Sequence, residues 1–523
     1  MGERISLIGQ NVAVSAAPIQ DCEDLIRQLE LSPLFHSRAV SWAYYLTTDI
    51  DTILYRQEVF QDLLACEQLY TAFLTAVEQL HAINELHKLR EGHGNYESDL
   101  YTIKEVELYV DFINDLHKSL NASYPGISSR GIQNLYAIVG DRYKSDAFVA
   151  LREGVSRLSM SVKDIKSVTI GINLDAGLSP YESGLLAVHD SYFHSGDLIS
   201  RFMRMEVKKD EMTTLAPLAV SGKKLSAVEK SIADEALQRA LNKVVGDGFR
   251  NWKKMLHHYF SINTAPFLTL LPELQFLIAG TKMIHKLKEH GLPFCAPEAC
   301  PMEEKRFEAK GLYNPALAES VGRKVVSNDF SFDENGMLYI LTGPNRGGKS
   351  VLLHAVGIAQ LMFQLGLPVA AEQIKISPVD HIFTHFPSGA GSTVGKGRFG
   401  EECLRLKKML QHITPHSMIL MDETFSGTDS YEASSIAEEV MTALSIIGCR
   451  GIFATHLHQI CQFVPSINAQ ERMCSKVDYL VAEMVDEQCT FRGTRRNPDG
   501  KSYARNIAER YGLSLDEILR EAT

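Results

Sequence analysis

The sequence has no excess of positive charge: 53 Lys and Arg stand against 64 Asp and Glu, a formal net charge of -11. Phosphate contact requires local Lys and Arg, so general attraction of the whole chain to nucleic acid is excluded and any such contact must rest on a local basic patch. The nine cysteines form no paired framework. The nearest pair, Cys295 and Cys300, lacks a second pair at zinc spacing, which argues against a disulfide scaffold and a structural zinc. No apolar leader follows Met1, and the most apolar later stretch, 267–279, is interrupted by Pro272 and Glu273, so no membrane span is expected. No long Pro, Gln or Ser tract is present, which excludes extended disorder. Unpaired thiols without a leader predict a cytoplasmic protein.

What is present is a long chain of 523 residues with 45% hydrophobic composition, enough for about two to four domains. Between Leu25 and Leu120 apolar residues such as Phe73, Val77 and Leu80 recur at helical spacing, and the same period returns from Leu225 to Lys288. Val168, Ile170, Ile172 and Leu174 alternate instead with small or polar residues, the period of a half-buried strand, which predicts a β insertion near 165–190. Pro293, Pro297 and Pro301 then punctuate the chain. The domains expected are 1–300, helical with that insertion, and 301–523, where apolar strand runs alternate with helices as in an α/β fold with a largely parallel sheet.

The chemistry lies in the second part. Gly343, Pro344, Asn345, Arg346, Gly347, Gly348, Lys349 and Ser350 satisfy the P-loop pattern, between a strand ending near Leu341 and a helix starting near Ser350. Backbone N–H groups there can wrap a polyphosphate, and the helix start favours negative charge. Lys349 would reach the β- and γ-phosphates and the Ser350 hydroxyl would bind Mg²⁺, which predicts ATP and Mg²⁺ as cofactors. Further on, the apolar run Met418 to Met421 ends in Asp422 and Glu423, where the first carboxylate suits a metal and the second suits a general base. A third apolar strand ends in Thr455 and His456, whose imidazole is placed to sense the γ-phosphate.

Taken together, these motifs resemble the MutS family of mismatch-repair ATPases. GPNRGGKS is similar to the family's GPNMGGKS with Arg346 in place of Met. MDETFSGTD, from Met421 to Asp429, resembles MDEIGRGTS, and ATHLHQI, from Ala454, resembles ATHYHEL. The stretch from Val369 to Phe386 and the tail KSYARNIAERYGLSLDEIL also follow the family order, and TTDIDTILYRQEVFQDLL resembles its core pattern. The resemblance implies a helical core and lever region followed by an ABC-like P-loop ATPase domain, pairing as a homodimer through the ATPase domains. The family's signature loop GxSTF is replaced by Gly395, Lys396, Gly397, Arg398 and Phe399. About forty residues precede the core resemblance, without the family's Phe-x-Glu mismatch reader, so recognition of a mispaired base is not expected. The leading functional expectation is an ATP-gated clamp on structured or duplex DNA, with Arg201, Arg204, Lys208, Lys209, Lys223 and Lys224 as candidate contacts. The alternative is a remodelling ATPase acting on ribosomes or RNA.

Overall fold

The computed structural model describes residues 5–9, 22–35, 40–92, 96–163, 167–174, 176–177, 180–189, 265–323, 325–344, 346–387, 398–425, 427–485 and 488–498. The chain divides into two compact units. One comprises Met1–Ile5, Thr71–Tyr124 and Tyr136–Leu271; the other comprises Ser6–Tyr70, Pro125–Leu135 and Pro272–Thr523.

The first unit is built from long helices, among them Tyr96–Ser123 and Asp146–Lys163. Their apolar stripes face one core, as the 3.6-residue period requires. Phe73 and Leu80 are buried there, while Val77 at the edge of the stripe is half-buried. Tyr109 and Phe112 meet Phe267 with ring centroids 6.2 and 5.6 Å apart, and Tyr109 meets Phe148 edge-on at 6.2 Å. Strands β1 (Ser167–Leu174) and β2 (Pro180–His189) pair antiparallel, with register breaks at Thr169/Ile170 and Asn173/Leu174. The basic residues Arg201, Arg204, Lys208, Lys209, Lys223 and Lys224, and the helical pattern at 225–264, lie outside the described residues.

Among the described residues the second unit carries two sheets. Strands β3 (Glu298–Ala299), β4 (Phe307–Leu312), β5 (Asn328–Phe332) and β7 (Gln373–Ile376) form one, in the order β3-β7-β4-β5. The larger sheet runs β12-β11-β6-β10-β9-β8, with β6 at Leu338–Thr342, β8 at Ile382–His385, β9 at Met418–Asp422, β10 at Arg450–Ala454, β11 at Val477–Val485 and β12 at Gln488–Thr494. All neighbours are parallel except β12, which returns antiparallel beside β11. Every residue of β6, β9 and β10 is buried, which is why these strands read as unbroken apolar runs rather than alternating ones.

The helix Lys349–Leu365 follows β6 and is buried except at Ser350 and Val351. Gly366 ends it at φ 79°, a left-handed position that suits glycine. A Cβ on Gly366 would stand 2.5 Å from the Arg56 Cβ, so the helix Ile50–Ala65 lies directly against this corner. Gly280, in the helix Leu271–Lys288, is equally tight: a Cβ there would stand 2.7 Å from Leu367 and from Phe60. Arg56 is 1% exposed, donates to the carbonyls of Ile8 and Tyr45, and sits 5.8 Å from the Phe276 ring. These contacts explain why the compact units do not follow a single cut near residue 300. Segments 6–70 and 272–300 pack with the α/β part through groups distant in sequence.

Pro272 and Glu273 do not break the apolar stretch at 267–279; they stand in the first turn of a helix. Counted from Pro266 to Lys288, this segment is long and apolar enough to cross a membrane. Its second-unit part is nevertheless a core helix, with Phe276 and Gly280 buried, and Glu273 accepts from the Leu7 N–H at 2.7 Å and the Ser6 hydroxyl at 3.1 Å.

Candidate functional site

Three parallel strands bring the candidate residues to one edge. Leu341 of β6 pairs with Ala454 of β10, and Ala454 pairs with Asp422 of β9. The strand before the candidate phosphate loop and the acidic strand therefore end in register, separated by the strand that leads to His456. At the usual spacing the outer two lie about 10 Å apart, a span that a phosphate chain and its metal can fill.

The loop after β6 has little freedom. Gly343 adopts φ 142° and a Cβ there would meet the Ala482 Cβ at 2.7 Å. At Gly347 a Cβ would stand 2.9 Å from the Pro344 carbonyl oxygen, and Gly348 takes φ 87°. Arg346 also has positive φ, 63°. Lys349 is buried, and its Nζ donates to the carbonyls of Gly343 at 3.0 Å and Pro344 at 3.1 Å. Burial pulls the Lys349 ammonium below its ordinary range, opposed by Glu423 and Asp422. Asn345 lies outside the described residues.

Across from the loop, Asp422 is buried at the end of β9 and hydrogen-bonds the Ser350 side chain. Burial raises its carboxyl above the ordinary range. Its Oδ1 is buried with no hydrogen-bond partner among the described residues. A desolvated carboxylate oxygen without a donor, beside a serine hydroxyl at a phosphate loop, suits a hard divalent cation. Glu423 takes φ 44° and donates its N–H to the Ala454 carbonyl at 2.9 Å, so its main chain is anchored to β10 while its side chain stays half-buried beside the loop.

A cavity of about 530 Å³ opens beside these groups. One side is Arg346 to Val351 with Glu423; the other is Leu317, Val321, Val325 and Val326, together with Phe491 of β12 and the cation Arg323. Phe491 is held at φ 60°, and its carbonyl accepts from Asn328 Nδ2 at 3.3 Å while Asn328 Oδ1 accepts from the Gly493 N–H at 2.8 Å. His456 is exposed beyond β10 and is not part of the cavity wall. The histidine tied to the loop strand is His458, whose Nδ1 stands 3.1 Å from Thr342 Oγ1. Burial, with His456 and Lys349 nearby, lowers its imidazole below the usual range.

Residues 339–523 match the family model described as MutS domain V, and residues 48–290 match the MutS2 N-terminal domain. The chain belongs to the MutS family. An endonuclease MutS2 from Thermus thermophilus is 30% identical over 222 residues, covering 42% of this chain and 28% of that relative. Human DNA mismatch repair protein Msh6 is 32% identical over 209 residues, 38% of this chain and 15% of its own. A DNA mismatch repair protein MutS from Acetivibrio thermocellus is 25% identical over 470 residues, covering 82% of this chain and 51% of the relative. The chain thus spans about half or less of the length of these relatives.

Of the signature loop, Gly395, Lys396 and Gly397 lie outside the described residues, whereas Arg398 begins the helix Arg398–Leu410. The turn at Gly427, Thr428 and Asp429 is described. Asp429 caps the helix Ser430–Ile447 by accepting from the Tyr431 N–H, and a Cβ on Gly427 would lie 3.5 Å from Phe399. The apolar cavity wall was missed by motif reading, since Leu317, Val321, Val325, Val326 and Phe491 are single apolar residues that share no spacing with the loop.

Proposed function

We propose that this MutS family member hydrolyses ATP with Mg²⁺ and uses that cycle to close a homodimeric clamp on structured or duplex DNA. The observation that carries the reading is the opposition of Lys349 and Ser350 to Asp422 and Glu423, with an undonated Asp422 Oδ1 between them. The loop N–H groups and the Lys349 ammonium would hold the polyphosphate, and the apolar wall with Phe491 would receive the base. Mg²⁺ held by Ser350 and Asp422 would neutralise charge on the phosphate oxygens. Glu423 orients a water and accepts its proton as the oxygen attacks the γ-phosphorus; the bond to the leaving ADP oxygen breaks and phosphate departs.

The names of the relatives, a MutS2 endonuclease and DNA mismatch repair proteins, favour DNA over RNA as the partner. The decisive measurement is steady-state ATP turnover of wild type and Lys349→Ala with Mg²⁺; equal rates would end the ATPase reading. Titration of homoduplex, a G·T mismatch and a four-way junction at two salt concentrations tests the clamp. Binding that weakens steeply with salt and does not favour the mismatch is expected. A clear mismatch preference would refute the non-mismatch reading, and co-purification of the Glu423→Gln variant with ribosomes instead of DNA would refute the DNA clamp.

A further inference from the structure

Behind the acidic pair lies a histidine that neither the phosphate loop nor the metal ligands use. His385 ends β8, is 1% exposed, and spans two elements. Its Nε2 stands 3.2 Å from the Glu402 carbonyl oxygen in the helix Arg398–Leu410, and its Nδ1 stands 2.9 Å from the Thr424 hydroxyl. A carbonyl oxygen only accepts, so Nε2 carries the proton; Nδ1 then offers a lone pair, and the Thr424 hydroxyl donates to it at 2.9 Å, the shorter of its two contacts, the other being the His385 carbonyl oxygen at 3.5 Å. The two bonds set the tautomer and the hydroxyl rotor together. Arg405 of the same helix donates to the Phe386 carbonyl at 2.5 Å, a second tie between the helix and the end of β8.

Thr424 follows Glu423 directly. The Glu423 main chain is anchored on one side by its N–H on Ala454 and on the other, through Thr424, by His385. We propose that His385 is a positioning residue for hydrolysis: it sets the attitude of Glu423 through Thr424 and couples it to the helix Arg398–Leu410, which begins within the altered signature loop. The family pattern MDEIGRGTS has an isoleucine where this chain has Thr424, and isoleucine has no hydroxyl to donate. The inference rests on the ATPase reading above.

Three substitutions isolate the link. His385→Phe keeps an aromatic ring in the same volume and removes both bonds; Thr424→Val removes the hydroxyl with little change of shape; His385→Asn keeps an acceptor near the place of Nδ1. Thr424→Val and His385→Phe should each lower kcat about tenfold, the rate equivalent of one net hydrogen bond, with KM for ATP within about twofold of wild type. The double variant should be no slower than the slower single one, because both cut the same link. His385→Asn should retain most of kcat. Wild-type kcat in Thr424→Val, effects that multiply in the double variant, or a loss of fluorescent-nucleotide affinity matching the loss of kcat would overturn the proposal. Including Lys349→Ala separates the failures. If wild type turns over no faster than Lys349→Ala, the ATPase reading falls and the positioning role with it; if Lys349→Ala is inactive while Thr424→Val is fully active, only the positioning role falls.

Discussion

Replacing Phe491 with alanine tests whether the cavity is a nucleoside site rather than a general anion site. Phe491 is 50% exposed and its side chain lies 3.5 Å from where a Cβ on Gly348 would stand, so it borders the candidate phosphate loop while half of the residue stays open. A phenylalanine side chain has about 200 Å² to bury, of which about half is open here. Covering about 100 Å² at ~25 cal/mol per Å² contributes up to about 2.5 kcal/mol, and stacking of a base on an aromatic ring is worth about 1–3 kcal/mol by alanine substitution. The Phe491→Ala variant should therefore bind ATP about 10- to 50-fold more weakly. Tripolyphosphate, which has the anion but no base, should bind both proteins alike. Isothermal titration with each ligand gives the comparison. Equal losses for ATP and tripolyphosphate, or no loss for either, would refute the assignment of Phe491 to the base.

Three further predictions follow from the same geometry. Asp422→Asn keeps a hydrogen-bonding partner for Ser350 and removes a buried charge, so turnover should drop about 100-fold or more while metal-free stability holds or rises; a loss above about 1 kcal/mol would contradict the account of Oδ1. Glu423→Gln should sediment as a dimer with ATP and as a monomer without it, and a monomer in both conditions at micromolar concentration would rule out pairing through the ATPase domains. Burial, aided by Arg405, pushes the His385 imidazole down to about 4 from the ordinary 6.5. The unfolded chain then binds a proton between those values that the folded chain does not, so stability is full above pH 6.5 and is lost as the pH falls toward 4. Between pH 7 and pH 5 the wild type should lose about 2 kcal/mol more than His385→Phe by denaturant titration; parallel losses would count against the buried neutral imidazole.

The adjacency of the candidate phosphate loop and the acidic pair was legible because the chemistry proposed for them demands neighbours in sequence. A phosphate cradle needs consecutive glycines before a helix, and Asp422 and Glu423 need only follow an apolar strand. The rest of the site comes from segments that no spacing joins. Val325 and Phe491 meet across one cavity although 166 positions separate them in the numbering, and Phe491 does so from a positive φ that its residue type does not announce. His385 has no motif of its own and acquires a role only once β8 and β9 are adjacent. Likewise Pro293, Pro297 and Pro301 mark real interruptions, yet the packing of Arg56, Phe60 and Gly280 decides which segments share a core.

The helix Lys349–Leu365 connects the candidate site to the opposite side of the second unit's core. At about 1.5 Å per residue its 17 residues span about 25 Å. One end carries Lys349 and Ser350 at the candidate phosphate loop. Midway, a Cβ on Gly357 would lie 2.7 Å from Leu420 of the acidic strand, so helix and strand have no slack between them. At the far end the Gln364 carbonyl accepts from the Thr47 N–H at 3.2 Å, and Gly366 abuts Arg56. A close-packed rod of this kind cannot absorb a displacement locally, because protein interiors have few voids and low compressibility. If nucleotide binds at the Lys349 end as proposed, displacement there should be passed on to the helix Ile50–Ala65, which lies within the residues matched by the MutS2 N-terminal domain. The C-terminal end of the helix Lys349–Leu365 and this part of the N-terminal family region therefore meet at a packed joint, and substitutions at Gly366 or Arg56 are where the proposed nucleotide binding and the response of the helix Ile50–Ala65 should come apart.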